Sequence, residues 1–248
     1  MSLQLLVLAL PALLPLGADP PDKSKDAPRY ETRKVHDPNG IGKFYMDREI
    51  AEVMGHLAAG WLERPEREKE EAPTKLMEAL KIRPGDVVAD VGAGSGYFTF
   101  RLADKVGAKG KVLAVDIQEE MLDLIRKKMK AAKATNVEPV LGTIEDPKLP
   151  AEGVDLILLV DAYHEFDHPY EMGAAMVKAL KPGGRLVFVE YRLEDPKVPI
   201  KTVHKMSEKQ VLKEMAAHPL RHAGTSNVLP WQHIITFEKK AGPEKAKP

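Results

Sequence analysis

Residues 87–116 read VVADVGAGSGYFTFRLADKVGAKGKVLAVD. Val87 to Val91 is a short β-branched run ending in glycines, the profile of a strand that stops at a turn. Phe98, Leu102 and Val106 then recur at helical spacing, and Val112 to Val115 forms a second apolar run. Neither run alternates apolar with polar residues, so both predict strands covered on both faces, as in a parallel sheet. The same alternation continues downstream. Met121, Leu122, Ile125 and Met129 predict a second helix, with Glu119, Glu120 and Asp123 early and Arg126, Lys127, Lys128 and Lys130 late. That charge order suits the helix dipole. Val137–Leu141 and Val154–Val160 read as a third and fourth strand, and residues 170–180 as a helix. Pro182-Gly183-Gly184 turns the chain into a fifth strand, Arg185–Glu190. The last third breaks the pattern. Ser207-Glu208-Lys209-Gln210 is a capping box opening a helix to Ala217, and residues 220–228 and 233–237 read as two terminal strands. The expectation is an α/β fold: a doubly wound, mostly parallel sheet closed by an antiparallel pair, with its ligand at the carboxyl ends of the strands.

The flanks read differently. Leu3 to Leu16 is almost wholly apolar, but fourteen residues broken by Pro11 and Pro15 are too short to span a bilayer. The run suits a signal peptide ending near Leu16-Gly17-Ala18 (residues 1–18), implying export to a periplasmic or secreted location; without a signal the chain would be cytoplasmic. Met1-Ser2 lacks the usual basic residue. Residues 19–38 read as a linker, 39–72 as a helical cap, 73–240 as the main domain and 241–248 as a polar tail. The 248 residues carry 37 Lys and Arg against 37 Asp and Glu, so nothing overall basic is available for double-stranded nucleic acid. Cysteine is absent, which removes disulfides, thiolate nucleophiles and Cys-based zinc sites. No stable membrane span is expected, and the oligomeric state is open.

Asp90-Val91-Gly92-Ala93-Gly94-Ser95-Gly96 carries the strongest chemical signal. Glycines where a strand ends and a helix begins let the backbone approach a ligand closely. The dinucleotide fingerprint G-x-G-x-x-G needs a glycine at position 97, where Tyr97 stands. Asp116 ends the next strand, 20 residues after Gly96, where a carboxylate can accept both ribose hydroxyls.

VADVGAGSGYFT (88–99) and AVDIQEEML (114–122) resemble the first two motifs of class I S-adenosylmethionine-dependent methyltransferases. The likeness continues through VEPVLGTIEDPKLP, VDLILLVDAYHEF and ALKPGGRLVFVEY and covers about residues 75–237. It implies a seven-stranded sheet whose last strand is antiparallel, and S-adenosylmethionine as the cofactor. It further implies that Asp90 and the backbone of Gly92, Ala93, Gly94, Ser95 and Gly96 hold the methionine moiety. Asp116 would take the ribose, Ile117 would line the adenine, and Glu145 or Asp146 would meet the adenine amine. A lid over the cofactor would bring Tyr45 to the methionine end. The physics agrees: a sulfonium tolerates a carboxylate beside the loop, whereas a pyrophosphate would be repelled.

The acceptor, a small molecule or a protein side chain, is not named by these motifs. Asp161-Ala162-Tyr163-His164-Glu165-Phe166 follows the fourth strand, where this fold places catalysis. It is not the Asn/Asp-Pro-Pro-Tyr/Phe motif of nucleobase amino methylation. His164 is the candidate base, with Tyr163 beside it, against a structural role for the ring. Asp161 is assigned to the loop or the cofactor. His164 and His168 are four apart with no third ligand in view, so no metal site is expected. Trp61, Arg64 and Arg67 could line the acceptor pocket, although solvated charges are the simpler reading for the arginines. His204-Lys205-Met206 and Trp231-Gln232-His233 could form further walls. A non-catalytic binder of the same cofactor, or a nicotinamide-dependent oxidoreductase, is the alternative.

Overall fold

The computed structural model describes residues 29–240. The signal peptide, the first part of the linker and the tail expected from the sequence lie outside them. The main sheet has seven strands: β4 (Val87–Val91), β5 (Lys111–Asp116), β6 (Val137–Leu141), β7 (Val154–Val160), β8 (Leu180–Tyr191), β9 (Leu220–Ser226) and β10 (Gln232–Lys239). Their order is β6-β5-β4-β7-β8-β10-β9, parallel from β6 to β8, with β10 antiparallel to both neighbours. The chain reverses its order at β4, so a crevice opens beyond the carboxyl ends of β4 and β7.

The inner strands β4, β5 and β7 are apolar along most of their length because each has two buried faces, whereas the edge strands β6 and β9 are partly exposed. On one face Val88, Val112, Leu156, Leu158 and Val187 pack against α2 (Pro73–Ala79), α3 (Tyr97–Val106) and α4 (Glu119–Ala132). On the other, Ala89, Leu113, Ile157, Leu159 and Phe188 pack against α5 (Pro169–Ala179) and α6 (Glu208–Met215). A fully buried aliphatic side chain contributes about 1.5–3 kcal/mol, so the two layers carry the domain. The helix ends follow local rules. Ser207 Oγ accepts from the Gln210 amide at 3.1 Å, closing the cap of α6. Glu119 and Glu120 open α4 and Lys130 closes it.

The expected helical cap needs correction in its first half. Residues 39–51 form a β-hairpin, β2 (Gly40–Tyr45) and β3 (Arg48–Ala51), joined by Met46-Asp47 at φ 48° and 71°. A two-residue turn with both φ positive matches the twist of paired strands. β1 (Tyr30–Thr32), inside the expected linker, adds to β2 as a third antiparallel strand. Tyr45 and Ile50 bury one face of this small sheet, while Ala51 on the other face lines the cavity described below. The helical reading holds further on, where a 3₁₀ segment (His56–Glu63), α1 (Arg67–Glu70) and α2 follow. β8 also starts earlier than expected: Pro182-Gly183-Gly184 lies within it, at an irregularity in its pairing with β7. Among the described residues, no helix is long and apolar enough to cross a membrane.

Candidate active site

A cavity of about 720 Å³ lies at the carboxyl ends of the parallel strands. Its floor comes from the turns after β4, β5, β6 and β7, and the segment from Ala51 to Leu62 roofs it. Gly92, Gly94, Asp116, Ile117, Asp161 and His164, six of the residues singled out in the sequence, line this one space.

The loop after β4 is shaped for close approach. Gly92 and Gly94 both have positive φ, 77° and 54°. A Cβ on Gly92 would stand 2.6 Å from the Ala162 methyl, and one on Gly94 2.7 Å from Leu62 Cδ1 of the roof. The amides of Gly92 and Ala93 both donate to the Val115 carbonyl at 2.9 Å, which ties the loop to β5. Asp116 fastens it from the other side: Oδ2 accepts from the Gly94 amide at 2.8 Å and Oδ1 from the Gln118 amide at 2.9 Å. Burial lifts the Asp116 pKa above its ordinary value, against the pull of these amides. Asp90 stands behind the loop rather than in the cavity, accepting from Thr99 Oγ1 at 2.6 Å, and burial pushes its pKa up to about 6. Ser95 turns its hydroxyl to Glu63 at 2.5 Å, and Lys128 holds both Glu63 and the Ser95 carbonyl. The roof is thereby docked on the loop. Ala93 and Gly96 shape the loop without reaching the cavity; Gly96 caps α3 at φ 81°.

Several other residues sit elsewhere than the sequence suggests. Tyr45 is buried under the small sheet against the Tyr30 ring, away from the cavity. Tyr163 points its hydroxyl to Glu214 at 2.7 Å on the far side of its turn. Beyond β6, Gly142, Thr143 and Ile144 line the cavity, while Asp146 pairs with Lys148 at 2.9 Å and Glu145 turns toward His168 at 3.6 Å. Of the expected walls, Trp61, Arg67 and His204 line the space, whereas Arg64, Trp231 and His233 do not. Gln232 acts indirectly by donating to Asp161 Oδ2 at 2.6 Å. The other carboxylate oxygen of Asp161 is buried without a partner. Burial and the charges of Glu71 and Glu190 hold this carboxyl well above the usual range. Arg67 is not a solvated charge. It is 3% exposed, pairs with buried Glu71, donates to the Leu62 carbonyl at 2.9 Å and lies over Tyr97.

The opposite end of the cavity is a polar cluster. His164 Nδ1 lies 2.6 Å from Glu190 Oε2, and Glu190 Oε1 accepts from the Tyr163 amide at 2.9 Å. His164 Nε2 faces His204 Nδ1 at 3.2 Å and Glu165 Oε1 at 3.8 Å. Burial opposes charging the His164 ring, but the Glu190 charge and hydrogen bond outweigh it, so its pKa is raised. Burial pushes Glu165 up to about 7. Burial and the neighbouring His164 push His204 down to about 4. Arg48 of β3 holds the backbone here, donating to the His164 carbonyl at 3.2 Å while forming a two-pronged pair with Glu214 at 2.7 and 3.0 Å. Glu190 was not legible as a site residue in the sequence, and Arg67, expected there as a pocket wall, proves to be a buried, paired charge. A signal for Glu190 exists: it is a carboxylate at the end of an apolar strand, the same position as Asp116.

A methyltransferase-domain family profile matches residues 82–242. The ubiquinone/menaquinone biosynthesis C-methyltransferase of Ectopseudomonas mendocina is 31% identical over 116 residues, 46% of this chain and 45% of that protein. The demethylmenaquinone methyltransferase of Listeria monocytogenes is 27% identical over 125 residues, covering 50% of this chain and 52% of its own length. The chain therefore spans about half the length of the curated relatives it matches. A crystal structure of an S-adenosylmethionine-dependent methyltransferase from Aquifex aeolicus shares the fold with a TM-score of 0.71 at 24% identity, over 75% of this chain and all of that one. The match runs across the glycine loop, Asp116 and the polar cluster alike, and the chain belongs to the class I S-adenosylmethionine-dependent methyltransferase family.

Proposed function

We propose that the chain transfers the methyl group of S-adenosylmethionine to a small, largely apolar acceptor held between the glycine loop and the His164 cluster. The observation that carries this reading is the single cavity that joins the two ends. The ligand suits the residues present. The unpartnered Asp161 Oδ1 is a buried acceptor for an ammonium, and Arg67 is a buried cation for a carboxylate. Each Asp116 oxygen keeps a lone pair for a ribose hydroxyl beyond its backbone bond. Ile117 and Ile144 offer apolar faces for the adenine. The amine of that ring would meet the turn at Thr143 rather than Glu145 or Asp146. Asp90 then acts through Thr99 and the loop, and Tyr45 and Tyr163 by packing.

The sulfonium supplies an electrophilic methyl group whose transfer neutralises the sulfur. The protein supplies alignment. His164, oriented through Nδ1 by Glu190, is the group that activates the acceptor. Exposed Ile41, Val53, Trp61, Ile117 and Ile144 form an apolar rim, which favours an aromatic or isoprenoid-bearing acceptor over a charged one. The names of the two curated relatives point to the same class, a ring of the demethylated quinol type. Incubation with tritiated S-adenosylmethionine and reduced demethylmenaquinone, beside simple phenols, tests this. Label in the organic phase supports the reading. S-adenosylmethionine binding without transfer to any ring would leave a non-catalytic binder. Export remains part of the proposal, and sequencing of the mature N-terminus from the native cell gives a start near Asp19 if residues 1–18 are removed.

A further inference from the structure

The polar end of the cavity brings two imidazoles and a carboxylate together. His164 Nε2 and His204 Nδ1 are 3.2 Å apart, and Glu165 Oε1 is 3.8 Å from each. A point equidistant from the three atoms lies about 2.1 Å from each, the length of a zinc–imidazole or zinc–carboxylate bond. Two rings that merely stack or share one proton do not require a carboxylate oxygen at the third corner of such a triangle.

The surroundings fit as well. His164 has its other nitrogen on Glu190 Oε2 at 2.6 Å, and Glu190 is completely buried. A carboxylate behind a ligand histidine fixes the tautomer that leaves Nε2 free for the ion and raises the basicity of the ring. Glu165 and Glu190 bring two carboxylates to a cluster where Arg48, bonded to the His164 carbonyl, is already paired with Glu214. A divalent cation balances them. The ligands come from two short 3₁₀ turns, Tyr163–Glu165 and Thr202–His204, with Arg48 of β3 bonded to the carbonyl of the first. His164, Glu165 and His204 all line the cavity, so further coordination positions open into it.

We propose that His164, His204 and Glu165 bind one divalent transition-metal ion of the zinc class, with Glu190 positioning His164. Two histidines and one carboxylate with open positions form the ligand set of a catalytic rather than a structural site. The open positions would take an oxygen of the acceptor, so that with the ion bound His164 acts on the acceptor through it rather than as a free base. That last role rests on the methyl-transfer reading, while the ion site does not. The expectation drawn from the sequence, which looked for a third ligand near His164 and His168, missed it because His204 lies 40 residues away in the chain.

The test is calorimetric titration of ZnCl2 into the full-length, chelator-stripped protein, with CoCl2 followed through its visible bands and S-adenosylmethionine titrated in parallel. Wild type takes up one ion per chain. Glu190→Gln, which keeps the shape of the side chain, weakens zinc by about 10–100-fold. His204→Ala and Glu165→Gln, each checked for folding by circular dichroism, lose more than that, and S-adenosylmethionine affinity is unchanged in both. Zinc uptake by a protein that does not bind S-adenosylmethionine supports the ion site and contradicts the methyl-transfer reading. Failure of wild type to bind zinc stoichiometrically overturns the ion site, and so does wild-type zinc affinity in both ligand variants. The rings then share a plain N–H···N hydrogen bond.

Discussion

Asp116 shows how one side chain shapes and reads the same ligand. Its two oxygens hold the Gly94 and Gln118 amides and stay available to the cavity. Asp116→Ala should weaken S-adenosylmethionine by about 1–3 kcal/mol in calorimetry, the cost of stranding hydrogen-bonding groups. His164→Ala should leave that affinity near wild type and lower the transfer rate by about 10²–10⁴-fold, the range for a group acting at the reacting centre. Asp90 gives a pH signature. Its folded pKa, about 6, stands above the ordinary aspartate value of 3.8 because the carboxyl is buried. The protonated form therefore stabilises the fold fully below about pH 4, and that contribution is lost as pH rises through about 6. Urea midpoints over this window should fall less in Asp90→Asn than in wild type; equal slopes would remove Asp90 from the account. The loop and Asp116 were legible because their spacing is local. The bonds of His164 to Glu190 and His204 span 26 and 40 residues and exist only after folding.

The β2–β3 hairpin is the element that the sequence disguised. Its turn, Met46-Asp47, lacks the Asn-Gly or Asp-Gly usual for two positive φ values, and the strands are short. Ile50 and Met54, four apart, look equally like one face of a helix. What fixes the strands is tertiary: Arg48 meets Glu214 of α6, which also accepts from Tyr163 and Gln210. Arg48→Leu strands a fully buried carboxylate and should destabilise the protein by about 3–5 kcal/mol in urea denaturation. Because Arg48 also holds the His164 carbonyl, transfer should fall with it. Arg48→Leu combined with Glu214→Leu should recover most of the stability but not the rate. The long parallel strands were legible because two covered faces leave an unbroken apolar run that needs no partner to be recognised.

At the scale of the whole molecule, the doubly wound sheet brings four strand ends to one crevice, and the small N-terminal sheet with its 3₁₀ segment closes it from above. The roof is fastened at both ends, by Glu63 to Ser95 and Lys128 over the loop and by Arg48 to Glu214 beside His164. This places the cofactor end and the acceptor end in one enclosed space. Trp61, at the rim, should report on its filling through fluorescence. The account depends most directly on what occupies the loop end. Calorimetry of the full-length protein with S-adenosylmethionine, and separately with NAD, measures this. The account predicts one S-adenosylmethionine per chain and no detectable NAD, since Tyr97 stands where the dinucleotide fingerprint needs its third glycine and the carboxylate of Asp116 adjoins the loop. Binding of NAD in preference to S-adenosylmethionine would contradict it.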